Sequence, residues 1–269
     1  MSDPNDRAFG RMDGRVALVT GASSGIGEAI VRSFLDAGAR VHAVARRGMM
    51  VEDSVGLEAI EAGRVVVHAL DVGDKEAMLS LGAELERSDP IDTLVCAAGV
   101  NVTARRMAEL TPESWEQLVD TNLHGVFFSI RATLGQIRER AGDVVVISSV
   151  TATWPDHAGG GYGATKSGVL GLARGLSIDE HMNGVRVTSI LPGIVNTPIL
   201  DKRPIPPSDE LRAWCLQPED VATATLVAVT MPARANVAEM TLVATRLQAL
   251  GKTQLANPEL PDALRASAS

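Results

Sequence analysis

The turn between the first aliphatic run and the first amphipathic stretch constrains this chain more than any other feature. Val16 to Val19 is bounded by Arg15 and by Gly21-Ala22-Ser23-Ser24-Gly25-Ile26-Gly27. After it, Ile26, Ile30, Phe34 and Leu35 fall on one helical face that stops at Gly38. Glycines in such a strand-to-helix turn let the backbone approach a ligand closely. The helix N-terminus adds unpaired N–H groups and partial positive charge, which together suit a phosphate. The spacing is G-x-x-x-G-x-G, unlike the commoner G-x-G-x-x-G, and it lacks the lysine of a P-loop. A tight connection with no ligand is the plain alternative.

The alternation continues along the chain. Val41–Ala45, Val65–Leu70, Thr93–Cys96, Val144–Ile147, Val185–Leu191 and a last run near Met240–Val243 read as strands. Lys75–Glu86, Glu113–Arg140 and Gly168–His181 read as helices between them. Aromatic residues make up only 3% of the chain, so the core must be aliphatic, which suits parallel strands covered by helices. The expected fold is one α/β domain, a doubly wound, mainly parallel seven-stranded sheet with ligands at the strand C-terminal edge. A polar extension at 1–13 precedes the body at 14–245. Five prolines between Pro192 and Gln217 mark an irregular excursion, with a short helix near Glu210, and 194–216 is expected to be a lid. The composition of the tail at 246–269 suits disorder.

Net charge is −8, which argues against nucleic-acid binding as the main business. There is no apolar leader and no run of 18 apolar residues, so a cytoplasmic protein without a membrane span is expected. Cys96 and Cys215 make neither a disulfide framework nor a metal cluster, and no metal site is expected.

An Arg at the end of the second strand accommodates the 2′-phosphate of NADP, where an acid would grip the ribose of NAD. The chain reads Ala45-Arg46-Arg47, which predicts NADP over NAD unless the pair is surface decoration. Asp71, followed by Val72, ends the third strand, where it either accepts from the adenine amino group or caps a helix. Ala98 and Gly99 leave room beside the fourth strand for a ligand to pass.

Tyr162 is the only tyrosine, and Lys166, one of few lysines, follows four positions later. On a helix that spacing sets both on one face, and the ammonium is expected to lower the phenol pKa toward neutral. Such a phenol exchanges protons with an alcohol or carbonyl. Ser148 and Ser149 end the fifth strand at the same edge. An exposed Tyr beside a surface Lys is the alternative.

Thr20-Gly21-Ala-Ser-Ser-Gly25-Ile26-Gly27, Asn122, Ser149, Tyr162-x-x-x-Lys166 and Pro192-Gly193 together resemble the compact subtype of the short-chain dehydrogenase/reductase family, from about Gly14 to about Thr245. The resemblance implies Tyr162 as general acid/base and Lys166 as a hold on the nicotinamide ribose. It also implies Ser149, thirteen residues before the tyrosine, as an orienting hydroxyl and Asn122 as the seat of a water linking Lys166 to solvent. Gly21, Ser23, Ser24, Gly25, Ile26 and Gly27 would border the diphosphate. Pro192, Gly193, Val195 and Thr197 would lie along the nicotinamide. The family commonly reads Asn-Asn-Ala-Gly where this chain has Cys96-Ala97-Ala98-Gly99, so a local change at that strand end is expected. The implied activity is NADP(H)-dependent interconversion of a secondary alcohol and a ketone or aldehyde. Reduction of a 3-oxoacyl thioester and a catalytically silent NADP-binding regulator are the alternatives. The substrate pocket should be lined by Trp154, His157, the Val100–Arg106 loop and the excursion. Arg105 and Arg106 would either meet a substrate carboxylate or form a solvated pair. The helices around 113–140 and 161–181 resemble the family's dimerising pair, implying a homodimer or homotetramer.

Overall fold

Runs of Val, Ile and Leu that are apolar on both faces need helices on both sides, and the computed structural model, which describes residues 9–154, 156–248, 259 and 262, supplies them. The tail beyond 248, Glu259 and Asp262 apart, and the extension before 9 lie outside the described residues. In chain order the elements are β1 Val16–Thr20, α1 Gly25–Asp36, β2 Arg40–Ala45, α2 Gly48–Val55, α3 Leu57–Glu61, β3 Val65–Ala69 and α4 Lys75–Ser88. Next come β4 Thr93–Cys96, α5 Pro112–Val119, a π-helical turn Asp120–His124, α6 Gly125–Glu139, β5 Asp143–Ile147, α7 Gly160–Glu180 and β6 Arg186–Pro192. A 3-10 turn at Pro198–Lys202, α8 Asp209–Arg212, α9 Pro218–Thr230 and β7 Glu239–Leu242 complete the order.

The seven strands form one parallel sheet in the order β3-β2-β1-β4-β5-β6-β7. Alternate residues of each strand feed two cores. Val19, Val41, Val95 and Val145 pack with α1 and α9, while Leu18, Val44, Leu94 and Val144 pack with α4, α6 and α7. The strand order reverses between β1 and β4, and a crevice opens there at the strand C-terminal ends. The opposite edge is locked. Arg15 pairs with Asp92 at 2.8 Å and Asp143 at 2.6 Å, and Arg186 pairs with Asp143 at 2.7 Å. Both arginines also donate to the Val229 carbonyl near the end of α9.

Several local expectations shift. Met12, inside the stretch read as a polar extension, is fully buried and donates its N–H to Ala37. The helix expected over Gly168–His181 begins eight residues earlier, at Gly160, because Gly159 takes φ +101° and turns the chain into it. The long helix over Glu113–Arg140 contains the π turn, which holds Asn122. α2 and α3 were not expected; their short apolar pattern carries little periodicity. Among the described residues, no helix is long and apolar enough to cross a membrane.

A histidine pair ties the outer strands together. His42 on β2, 3% exposed, shares a 2.9 Å hydrogen bond with His68 on β3, and its other ring nitrogen lies 2.7 Å from Asp89, which Arg40 also contacts. One ring must be neutral to accept the shared proton. Burial holds both histidines below their ordinary value. Asp89 opposes this at His42, and the His42 charge adds to it at His68. A depressed folded pKa means that the unfolded chain takes up protons first, so stability is complete above about pH 6.5 and falls as the pH drops below it. Thermal unfolding followed from pH 8 to pH 5.5 should show a falling Tm. His68→Gln should flatten that dependence; an unchanged slope in this variant would remove the pair from the account.

Candidate active site

The glycine turn shapes one end of the site. Gly21 has φ +70°, and a Cβ there would stand 2.7 Å from the Ala98 backbone. Gly25 has φ +59°, and its Cβ would stand 2.9 Å from Thr197 Cγ2. Three segments distant in sequence therefore meet only because these positions carry no side chain. Thr20 secures the junction: its hydroxyl accepts from the N–H groups of Ala97 and Ala98, both at 3.2 Å. These bonds hold the strand end that lacks the family's asparagines. Cys96 beneath it is buried, and burial pushes its thiol up to about 12, so it is inert packing.

A cavity of about 650 Å³ runs along the strand C-terminal ends. Gly21, Ser23, Ser24, Gly25, Ile26 and Gly27 line it at the turn, Arg46, Arg47, Asp71 and Val72 toward the β2–β3 side, and Ala98 and Gly99 at its middle. Ser149, Tyr162, Lys166, Pro192, Gly193, Val195 and Thr197 line the far part. Of the catalytic and cofactor residues singled out in the sequence, Asn122 alone does not line it. It is 0% exposed, accepts from Val100 N at 2.8 Å and donates to the Val100 carbonyl at 3.0 Å and to Thr165 Oγ1 at 3.2 Å. π turns commonly stand at functional sites, but a single extra residue in a helix leaves no trace in hydrophobic periodicity. Asp71 does not cap the next helix; Asp74 does, accepting from Ala77 N at 3.0 Å. Asp71 instead bonds Gly73 N and stands 3.6 Å from the exposed Arg46.

The two serines separate. Ser148 Oγ donates to the Lys166 carbonyl at 2.9 Å, whereas Ser149 Oγ accepts from Thr151 N at 3.3 Å and faces the cavity with the Tyr162 phenol, whose ionised form it favours. Lys166 is 4% exposed, donates to the Ile147 carbonyl at 2.8 Å and has its Nζ 5.7 Å from the Tyr162 ring centroid. A Cβ on Gly99 would lie 3.5 Å from that Nζ and 3.6 Å from Asn122 Oδ1, so Lys166, Asn122 and Gly99 share one corner. Burial pulls the ammonium down to about 8. The expected lowering of the phenol is not what the structure shows. Burial, aided by Asp156, pushes Tyr162 up to about 12 against the opposing effects of Ser149 and Arg105. The ammonium is turned to the Ile147 carbonyl instead of the hydroxyl, which is why desolvation wins.

The substrate end also differs from expectation. His157 is exposed, and neither it nor Trp154 lines the cavity; Asp156 and Ala158 do. Of the two loop arginines, Arg106 is exposed, while Arg105 is half-buried and lines the cavity with Arg203 of the excursion. Arg203 and Asp156 had no local motif to announce them.

The profile of the family described as short chain dehydrogenase matches residues 15–205. The NADP-dependent 3-hydroxy acid dehydrogenase YdfG of Salmonella typhi is 33% identical over 233 residues, spanning 82% of this chain and 92% of that protein. Among solved structures, a closed serine dehydrogenase complexed with NADP+ is 31% identical with a TM-score of 0.77, covering 88% of this chain and 98% of its own. An alcohol dehydrogenase of Thermococcus sibiricus complexed with 5-hydroxy-NADP is 28% identical with a TM-score of 0.76, covering 87% and 98%. The chain belongs to the short-chain dehydrogenase/reductase family and is an oxidoreductase that acts with a nicotinamide cofactor.

Proposed function

We propose that the protein interconverts a secondary alcohol and the matching ketone or aldehyde of a small to medium organic molecule, with NADP(H) as its cofactor and Tyr162 as general acid/base. The observation that carries this reading is the convergence of Ser149, Tyr162 and Lys166 at one end of a cleft that begins at Arg46 and Arg47. The residues fit a dinucleotide. The Gly21 and Gly25 backbones approach their neighbours more closely than a Cβ allows, and the first turn of α1 lines the cleft beside an N-cap, Ser24, whose side chain makes no capping bond. When bound, the nicotinamide supplies or accepts the hydride.

The rest falls to the chain's own residues. Tyr162 donates its proton to the carbonyl oxygen in reduction and takes one from the alcohol in oxidation. Its raised pKa keeps the phenol protonated at neutral pH, which suits donation. Ser149, which lines the same end of the cleft, orients the same oxygen. Lys166 holds the nicotinamide ribose hydroxyls, and the corner it shares with Asn122 seats the water that connects it to solvent. Gly193, Val195 and Thr197 border the nicotinamide amide, Asp71 the adenine, and Arg46 with Arg47 the 2′-phosphate. The NADP in the names of relatives supports that last assignment. The thioester reductase stays the alternative, supported by the likeness to a 3-oxoacyl-[acyl-carrier protein] reductase of Brucella melitensis, 27% identical with a TM-score of 0.75; a silent regulator is disfavoured by the presence of Ser149, Tyr162 and Lys166 together. The segment 194–216 closes over the substrate as a lid, and the chain works in the cytoplasm as a homodimer or homotetramer. Exposed Trp115, Phe127 and Ile178 on α5, α6 and α7 support assembly.

Two substitutions test the reading, with NADPH absorbance followed against a carbonyl panel. Tyr162→Phe should lower kcat by roughly 10²- to 10⁴-fold, while NADPH affinity, read by fluorescence, stays as in the parent; near-normal turnover would sink the mechanism. Arg46→Ala removes an exposed charge-assisted bond to phosphate and should raise the KM for NADPH by roughly two- to fivefold, leaving NADH unaffected. Equal shifts for the two cofactors would show that Arg46 does not read the 2′-phosphate.

A further inference from the structure

Three segments far apart in sequence deliver charge to the substrate end of the cavity. Arg105 comes from the loop after β4, Asp156 from the loop after β5, and Arg203 from the end of the 3-10 turn after β6, and all three line the cavity that Tyr162 enters. None of the three positions is loose. Arg105 Nε donates to the Val102 carbonyl at 3.2 Å. Its backbone is pressed on Gly159, where a Cβ would stand 2.9 Å from the Arg105 carbonyl oxygen, and φ there is +101°. Asn101 Nδ2 donates to the Ala158 carbonyl at 3.1 Å, and Ala158 N donates to Asp156 at 2.5 Å, so the two loops form one platform. Arg203 is only 6% exposed, and its N–H is bonded to Leu200.

The groups feel one another. Burial, then the like charge of Arg203, pull Arg105 down to about 10, while Asp156 and Tyr162 oppose this. Burial also lowers Arg203, opposed by Asp156. Burial raises Asp156 although both arginines pull it the other way. Two guanidiniums and one carboxylate thus lie within electrostatic reach of one another along the cavity wall that also holds Tyr162. Each side chain has a fork that matches a carboxylate, and guanidinium is the cation suited to partly buried pairing.

We propose that Arg105 and Arg203 form an anion subsite that binds a carboxylate of the substrate itself, so that the molecule oxidised or reduced at Tyr162 is a short hydroxy or oxo acid, with Asp156 on the same wall moderating their charge. This rests on the oxidoreductase reading above. The subsite fixes the acid end, and the carbon bearing the hydroxyl or carbonyl then lies toward Ser149 and Tyr162. Arg105 and Arg203 are the specificity-determining residues.

The test compares matched acids and neutral amides of three to five carbons, using the full chain with NADP+ or NADPH. The parent should turn over the hydroxy acid with kcat/KM roughly tenfold or more above that of its amide. Arg105→Gln and Arg203→Gln should each remove most of that preference through KM, with the amide unaffected. Amides used as well as acids by the parent, or variants that lose both alike, overturn the subsite. A binding measurement separates this from the reaction. Titration calorimetry with unreactive butyrate on the NADPH-loaded protein should give binding that butyramide does not give and that either variant loses. Absence of that binding overturns the subsite even where a neutral ketone is reduced. Binding present without turnover of either class leaves the subsite standing and removes the proposed interconversion of alcohol and carbonyl at Tyr162.

Discussion

A buried ammonium is costly, and the arrangement around Lys166 follows from keeping one at the strand edge. Its only bond drawn from the sheet is to the carbonyl of Ile147, the last residue of β5. Ser148, the next residue, fixes the helix backbone by donating to the Lys166 carbonyl. Gly99 has no side chain to fill the corner, and Asn122 is held there by both backbone groups of residue 100. The pull on its pKa to about 8 measures what desolvation does where one carbonyl stands in for water. An ammonium so placed gains from any polar group brought into the cleft, and the site is thereby built to be completed by a ligand.

The same economy of space explains the glycines. β1 and β4 are neighbours at the reversal of strand order, and the chain must leave β1, turn and enter α1 without covering the end of β4. A Cβ on Gly27 would stand 2.3 Å from the Gly21 carbonyl oxygen, so the turn closes only with glycine at that point. Where family members place asparagine side chains after β4, this chain relies on the Thr20 hydroxyl reaching across from β1. The strand end keeps its path with a different donor set, because what it needs is satisfied N–H groups and not a particular residue.

Much of this was legible from the sequence. Seven aliphatic runs at regular intervals predict the sheet because burial on both faces leaves no polar alternation to confuse the period. The Tyr162 and Lys166 spacing and the serine upstream lie in local segments, so their common edge follows from the alternation alone. What stayed hidden depends on distance or on environment. Arg203 meets Arg105 and Asp156 only after folding, and nothing near position 203 marks it as part of a pocket. The π turn at Asn122 adds one residue to a helix whose polar and apolar residues look regular. The phenol pKa was read in the wrong direction because the spacing gives proximity to Lys166 but says nothing of where its ammonium points or how dry the site is.

Charge placement joins the two proposed binding functions. The chain carries a net charge of −8, yet Arg46, Arg47, Arg105, Lys166 and Arg203 all line one cavity. An acidic surface with a cationic cleft focuses anions into the cleft instead of onto the surface. The two ends nevertheless differ in strength. Arg46 and Asp71 are exposed and 3.6 Å apart, in water that screens them, so discrimination at the 2′-phosphate is of the modest kind that surface pairs give. Arg105 and Arg203 stand in a drier wall, where the same charges act through a lower effective dielectric. Selection by charge is therefore sharper at the substrate end than at the cofactor end, because a neutral molecule entering there brings no charge to offset the burial of the two guanidiniums.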